Sequence, residues 1–210
     1  MNILNLYAGL GGNRWYWDNC EVTAVELEDN IADQYQRFFP EDTLHRVDAH
    51  VFLEKCNLSD YDLIWSSPPC QTHSRMAISG KNRKPRYTDL SLYEEIMFLE
   101  RHATGLYAVE NVAPYYKPLI EPTQAVGRHR FWSNFTFEAQ EIVQPSNFIN
   151  LTTVEGSRKL KNWLGIEYDS NIYYQSNHCP AQVLRNCVHP LLGKQILQQA
   201  RSLLHNRGII

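Results

Sequence analysis

Residues 3–12 read Ile3-Leu4-Asn5-Leu6-Tyr7-Ala8-Gly9-Leu10-Gly11-Gly12, an apolar run that gives way to glycines. A run of this length suits a buried strand, and glycines directly after a strand allow close backbone approach to a ligand at a strand-to-helix turn. The helix that follows is read from Ile31, Ala32, Tyr35, Phe38 and Phe39, an i, i+1, i+4, i+7, i+8 stripe that stops at Pro40. Outward from there, apolar β-branched runs recur at Val22–Leu27, around Val47, and at Leu63–Trp65, Leu106–Val109 and Phe131–Phe135. A second helical stripe, Leu92, Ile96 and Leu99, is opened by the capping-box pattern Ser91-x-x-Glu94. Strands alternate with helices, so the expected fold is α/β: a doubly wound, mostly parallel sheet covered on both faces, with ligands beyond the carboxyl ends of its strands. After about residue 138 the alternation dissolves into Asn, Gln, Ser and Tyr. It resumes only in a last helix from Pro190, with Leu192, Ile196, Ala200 and Leu203 on one face.

The chain has 210 residues, room for one such core and little more. Apolar residues at 43% and charged residues at 20% exclude a disordered or low-complexity architecture. No stretch approaches 18 apolar residues and the first five residues lack a signal peptide's basic start, so a cytoplasmic protein without a membrane partner is expected. The five cysteines contain no C-x-x-C pair, so neither a disulfide framework nor a zinc ribbon is indicated and no metal is expected. The net charge of −3 conceals an asymmetry: residues 1–62 carry 12 acids against 4 bases, whereas residues 63–210 carry 11 against 16. Residues 63–88 and 170–210 contain no acid at all, the pattern of a surface built for a polyanion.

Four segments carry chemistry. The first is the glycine turn, Tyr7 to Gly12, whose natural guest is nucleotide-like. Glu26, followed by Leu27, ends the second strand, where a carboxylate can take ribose hydroxyls; Asp48, followed by Ala49, ends the third, where one can accept from an adenine amino group. The second is Ser66-Ser67-Pro68-Pro69-Cys70-Gln71, in which two prolines stiffen a turn and present Cys70 at the sheet edge as a nucleophile. The third is Glu110-Asn111-Val112 on the same edge, with a carboxyl facing the thiol. The fourth is Arg128-His129-Arg130, where strand alternation is expected to point both guanidinium groups to one face.

In this order and spacing the chain resembles the C5-cytosine DNA methyltransferases. The resemblance rests on Ala8-Gly9-Leu10-Gly11-Gly12, Pro68-Pro69-Cys70-Gln71, Glu110-Asn111-Val112 and the arginines at 128 and 130. Two later segments are similar as well: Leu151-Thr152-x-x-Glu155-x-x-Arg158-x-Leu160 and Arg185-Asn186-Cys187-Val188-x-Pro190, with Arg185 where the family has Gly. The resemblance implies a sheet of the S-adenosylmethionine-dependent methyltransferase type, with S-adenosylmethionine held by residues 7–12, Glu26, Leu27, Asp48, Ala49, Pro68, Asn186 and Val188. It implies Cys70, Glu110, Arg128 and Arg130 as catalytic residues acting on a cytosine flipped out of duplex DNA. Gln71, Ser74, Arg75, Lys81, Arg83, Lys84 and Arg86 would close over the DNA, and Arg158, Lys159 and Lys161 would grip phosphates.

Residues 1–138 and 185–210 then form the catalytic domain, and 139–184 a very small, irregular target-recognition region. Base readout needs several side chains in a groove; so short a region, with Asn171, Gln175 and Asn177 as base readers, implies a short or degenerate target context. Oligomerisation or a partner chain supplying further recognition contacts is the alternative. Three other readings stay open on the residues: a family member that binds DNA or cofactor without turnover, a C5-methyltransferase of RNA, and an enzyme of free pyrimidine nucleotides using the same cysteine addition.

Overall fold

The computed structural model describes residues 1–79, 84, 86–169, 171–174 and 179–209. Its centre is a seven-stranded sheet: β1 (Asn2–Leu6), β2 (Glu21–Val25), β3 (Thr43–His45), β4 (Leu63–Ser66), β5 (Leu106–Val112), β6 (Gln124–Val126) and β7 (His129–Ser133) in the order β3-β2-β1-β4-β5-β7-β6. The first five run parallel; β7 is antiparallel to β5, and β6 to β7. The strand order reverses between β1 and β4, so the loops after those strands diverge and leave a crevice at their carboxyl ends.

Both faces are covered, and strand alternation decides which residue faces which helix. Ile3, Val22, Leu63, Trp65, Leu106, Ala108 and Phe131 pack with Leu192, Ile196, Leu197, Ala200 and Leu204 of α6 (Pro190–Asn206). Leu4, Leu6, Val25, Ile64, Tyr107, Val109 and Trp132 face the other way, against α2 (Ala49–Leu53) and Leu92, Tyr93, Ile96 and Leu99 of α3 (Ser91–His102). Fully buried side chains such as Ile196 and Leu99 each contribute about 1.5–3 kcal/mol.

Four local expectations are corrected. The third strand is Thr43–His45, and Val47 lies beyond it, 37% exposed. The last strand is His129–Ser133, starting two residues before Phe131. The Ser91–Glu94 capping box does not form: Leu90 is the N-cap, and the Ser91 amide and hydroxyl donate to Asp89 Oδ1. Residues 139–184 hold α4 (Val154–Leu164) and the start of α5 (Ala181–Asn186). Leu160 and Leu164 bury the apolar side of α4 in a third cluster with Ile166, Ile172, Val183, Leu184 and Leu10 of the glycine turn, and with Ile31 of α1 (Asp29–Phe38). The polar composition of this stretch hid α4, which Thr153 caps by accepting from Gly156 N and Gly165 ends in the left-handed region (φ 68°).

Among the described residues no helix is long and apolar enough to cross a membrane.

Candidate active site

A cavity of about 370 Å³ opens beyond the carboxyl ends of β1, β2, β4 and β5. At one end it is lined by the glycine turn. Tyr7 takes a positive φ of 53°, and its hydroxyl donates to Glu95 Oε2 at 2.9 Å; burial, reinforced by the Glu95 carboxylate, holds the phenol well above its ordinary range. Two glycines are required by what lies behind them: a Cβ on Gly11 would stand 2.2 Å from the Phe39 ring, and one on Gly12 2.4 Å from the Val188 carbonyl oxygen. Tyr7, Ala8, Gly9, Leu10 and Gly12 line the cavity; Gly11 does not.

Glu26 follows β2 directly and is buried. Its Oε2 accepts from Gly9 N and its Oε1 from Glu28 N, both at 2.9 Å, so the carboxylate fastens the turn while each oxygen keeps a lone pair for a hydroxyl. Burial raises its pKa; the two amides oppose the shift. Asp48, three residues past β3, is the N-cap of α2, its Oδ1 accepting from His50 N at 2.9 Å and Val51 N at 3.1 Å. Leu27, Ala49, Pro68, Asn186 and Val188 line the cavity as well. Paired carboxylates, glycine backbone and this volume fit an adenosyl-sized group.

The other end is lined by Cys70, Gln71, Glu110, Asn111, Arg128 and His129. The loop after β4 is braced from both sides: Trp65 Nε1 donates to Ser67 Oγ at 2.9 Å, and the Cys70 carbonyl accepts from His73 N and Ser74 N at 3.1 and 3.0 Å. Burial pushes the Cys70 thiol up to about 11; Glu110 adds to the shift and Arg128 opposes it. Glu110 is buried, and its Oε1 lies 2.6 Å from His129 Nδ1.

The two arginines part company. Gly127 (φ 55°) and Arg128 form the turn between β6 and β7, so Arg128 lies outside the strand's alternation and enters the cavity. Its Nη2 donates to the Arg185 carbonyl at 3.1 Å, its guanidinium lies over the Phe148 ring at 4.9 Å, and its buried Nε has no partner among the described residues. Burial lowers its pKa, against Glu110 and Cys70. Arg130 sits within β7 opposite Asn111, on the sheet face away from Glu110, and donates to the Gly127 and His129 carbonyls at 3.0 and 2.9 Å. The expectation that both guanidinium groups share a face is therefore corrected: the hairpin turn breaks the alternation between them, and Arg130 is absent from the cavity lining.

Gln71 is exposed at the cavity mouth, Ser74 is half-buried, and Arg75, Lys84 and Arg86 are exposed. Lys81, Arg83, Gln175 and Asn177 lie outside the described residues; Asn171 is exposed. Arg158 and Lys159 project from α4 to solvent, Lys159 paired with Glu155 at 3.0 Å. Lys161 turns inward, its ammonium donating to the Tyr168 carbonyl and lying over that ring. Among the described residues no cluster of His, Cys, Asp or Glu is arranged to hold a metal.

Among the cavity residues given no part in the site by the sequence reading are His129, Tyr174 and Arg185. Arg185 closes the last turn of α5 without disturbance, its Nη1 reaching the Ile149 and Leu151 carbonyls at 3.3 and 3.2 Å. Tyr174 had no local signal.

Comparison with known proteins agrees with this architecture. Over nearly its whole length the chain is similar in fold to the Entamoeba histolytica methyltransferase EhMeth (10% identity, 97% of this chain and 98% of that one, TM-score 0.53). The same holds for Dnmt2 methyltransferase of S. pombe (12% identity, 98% and 99%, TM-score 0.52). A DNMT2 structure from Spodoptera frugiperda is 25% identical over 53% of this chain (TM-score 0.38), which spans 35% of that protein's length. No curated protein sequence matches the chain. The family model described as C-5 cytosine-specific DNA methylase matches residues 1–118, more than half the chain and the part that holds the glycine turn, Cys70 and Glu110, and the chain accordingly belongs to that family.

Proposed function

We propose that this protein methylates C5 of cytosine in double-stranded DNA, with S-adenosylmethionine as methyl donor. The observation that carries the reading is one continuous cavity with the glycine turn, Glu26 and Asp48 at one end and Cys70, Glu110 and Arg128 at the other. The donor, when bound, supplies a methyl group activated on a sulfonium; Gly9, Glu26 and Asp48 would hold its adenosyl part.

Cytosine C5 is a poor nucleophile. Addition of the Cys70 thiolate to C6 forms a carbon–sulfur bond and gives C5 enamine character, while Glu110 gives a proton to N3 and Arg128 stabilises the charge on the ring and on Cys70. C5 then takes up the methyl group, and loss of the C5 proton to a base expels the thiolate. The cytosine must leave the helix first, at a cost of a few kcal/mol. Gln71, which lines the cavity, and Ser74, Arg75, Lys84 and Arg86, which follow it in the chain, are suited to the displaced strand and its phosphates.

We assign target recognition to residues 139–184. With so little chain available, the target context is short or degenerate. The test is incubation with labelled methyl donor and, separately, duplex DNA, single-stranded DNA, tRNA and dCMP. Label in duplex DNA alone is expected; label in tRNA or dCMP alone overturns the DNA assignment. Bisulfite sequencing of a methylated random-sequence duplex pool then reads the context, and a strict site of four or more base pairs overturns relaxed recognition by the isolated chain.

A further inference from the structure

We propose that His129 is a positioning residue for Glu110: its ring holds one carboxyl oxygen so that the other, carrying the acid proton, is presented to N3 of the cytosine. The inference rests on the function proposed above and assigns a part of that site which Cys70, Glu110 and Arg128 leave unexplained.

Three observations support it. His129 Nδ1 stands 2.6 Å from Glu110 Oε1, and the two side chains are only 13% and 8% exposed. The sheet register pairs Val112 with His129 and Glu110 with Phe131, so His129 and Glu110 are diagonal neighbours on one face, their approach set by the β5–β7 ladder. Both line the main cavity, and His129, like Arg128, also lines a second, small one.

The charged and titratable groups around the ring divide clearly. Cys70 and Arg128 face it from the cavity, and Arg130 leaves β7 on the opposite face. Glu141 and His189 face it from the small cavity. His189 accepts from Leu191 N at Nδ1 and reaches the Trp163 carbonyl through Nε2 at 2.9 Å, which makes it a neutral donor there; burial lowers its pKa further. In the tautomer that carries its proton on Nδ1, His129 donates to Glu110 Oε1 and so orients the carboxyl group. In the proton balance, Cys70 Sγ–H first gives its proton to solvent; Oε2–H then breaks and N3–H forms as the thiolate bonds to C6, the carboxylate left behind keeps the Nδ1–H donor, and His129 neither gains nor loses a proton. When Cys70 leaves, N3 returns its proton to Oε2.

The experiment compares wild type, His129→Ala and His129→Asn, whose amide nitrogen can stand near the Nδ1 position without a titratable ring. Single-turnover methyl transfer is measured across pH, alongside covalent trapping on a 5-fluorocytosine duplex and thermal unfolding. His129→Ala is expected to slow transfer about 10- to 100-fold with KM little changed. The shape of the pH–rate profile should change with it, which a merely structural role for the ring would not do. His129→Asn is expected to recover most of the rate. A wild type that transfers no methyl group to any nucleic acid overturns the proposed function. A wild type that does, beside an Ala variant with the same rate and profile or an Asn variant as slow as Ala, overturns the role of His129 alone.

Discussion

Asn111 Nδ2 donates a 3.0 Å hydrogen bond to the Pro68 carbonyl, joining the strand that carries Glu110 to the loop that carries Cys70. Asn111 is 1% exposed, and its Oδ1 accepts from Val112 N at 2.9 Å, so the amide is fixed in one orientation. Forty residues apart in sequence, Cys70 and Glu110 sit on segments that this one side chain ties together. Asn111→Leu is expected to leave the Pro68 carbonyl unsatisfied in a buried site, costing about 1–3 kcal/mol in denaturant unfolding. Methyl transfer should fall further than stability; equal activity in wild type and variant would detach the bond from the site's geometry.

The Cys70 thiol, pushed up to about 11 by burial and by Glu110, is protonated at neutral pH in the free protein. Its alkylation by iodoacetamide, followed peptide by peptide, should climb close to tenfold per pH unit up to that value. Arg128→Gln removes the opposing cation and is expected to slow alkylation at any fixed pH below it. A rate that levels off near neutral pH contradicts this. Cys70→Ser should abolish methyl transfer while donor binding persists.

Asp48 serves two ends at once, as N-cap of α2 and as cavity wall. Asp48→Ala should cost about 1 kcal/mol through the lost cap. Asp48→Ser keeps a capping oxygen but withdraws it from the cavity, so stability is expected to recover while S-adenosylmethionine binding by calorimetry stays weak. Glu26→Ala should weaken the same binding by about 1–3 kcal/mol and release the Gly9 and Glu28 amides. Unchanged affinity in Asp48→Ser and Glu26→Ala would place the donor elsewhere.

Beneath the glycine turn, Glu95 is 1% exposed and receives Tyr7 and Ser66 hydroxyls, with His50 Nε2 3.1 Å from Oε2. The Glu95 carboxylate raises the His50 pKa against desolvation. A histidine whose folded pKa is raised adds stability that is complete below its unfolded value of about 6.5 and is lost as pH rises through the folded one. The Tm gap between wild type and His50→Gln should therefore be widest on the acid side and narrow toward alkaline pH. A gap independent of pH would show that the pair carries no charge-linked stability.

Lys161 and Lys84 are expected to differ sharply. The Lys161 ammonium is spent on the Tyr168 carbonyl and ring, whereas Lys84 and Arg86 are exposed. Neutralising Lys84 and Arg86 should weaken DNA binding at all sequences alike and flatten its salt dependence. Lys161→Met should lower stability and leave the salt slope unchanged. A shallower slope for Lys161→Met would assign that side chain to phosphate.

What the sequence by itself determined is everything governed by local periodicity and local backbone chemistry. Alternating apolar runs and helical stripes specify the parallel sheet and α1, α3 and α6, because burial on two faces selects those periods. The glycines of residues 9–12 and the prolines at 68 and 69 mark the turns that deliver Glu26, Cys70 and the cavity, since few other residues satisfy those backbones. Tertiary structure alone decided the rest. Whether Arg130 or His129 faces Glu110 depends on a two-residue turn at Gly127–Arg128 that shifts which positions count as strand. Whether Lys161 meets phosphate or Tyr168, and whether Tyr174 lines the cavity, depends on how α4, α5 and their connection fold back on the glycine turn. Those contacts join residues far apart in the chain, and no spacing within a single segment encodes them.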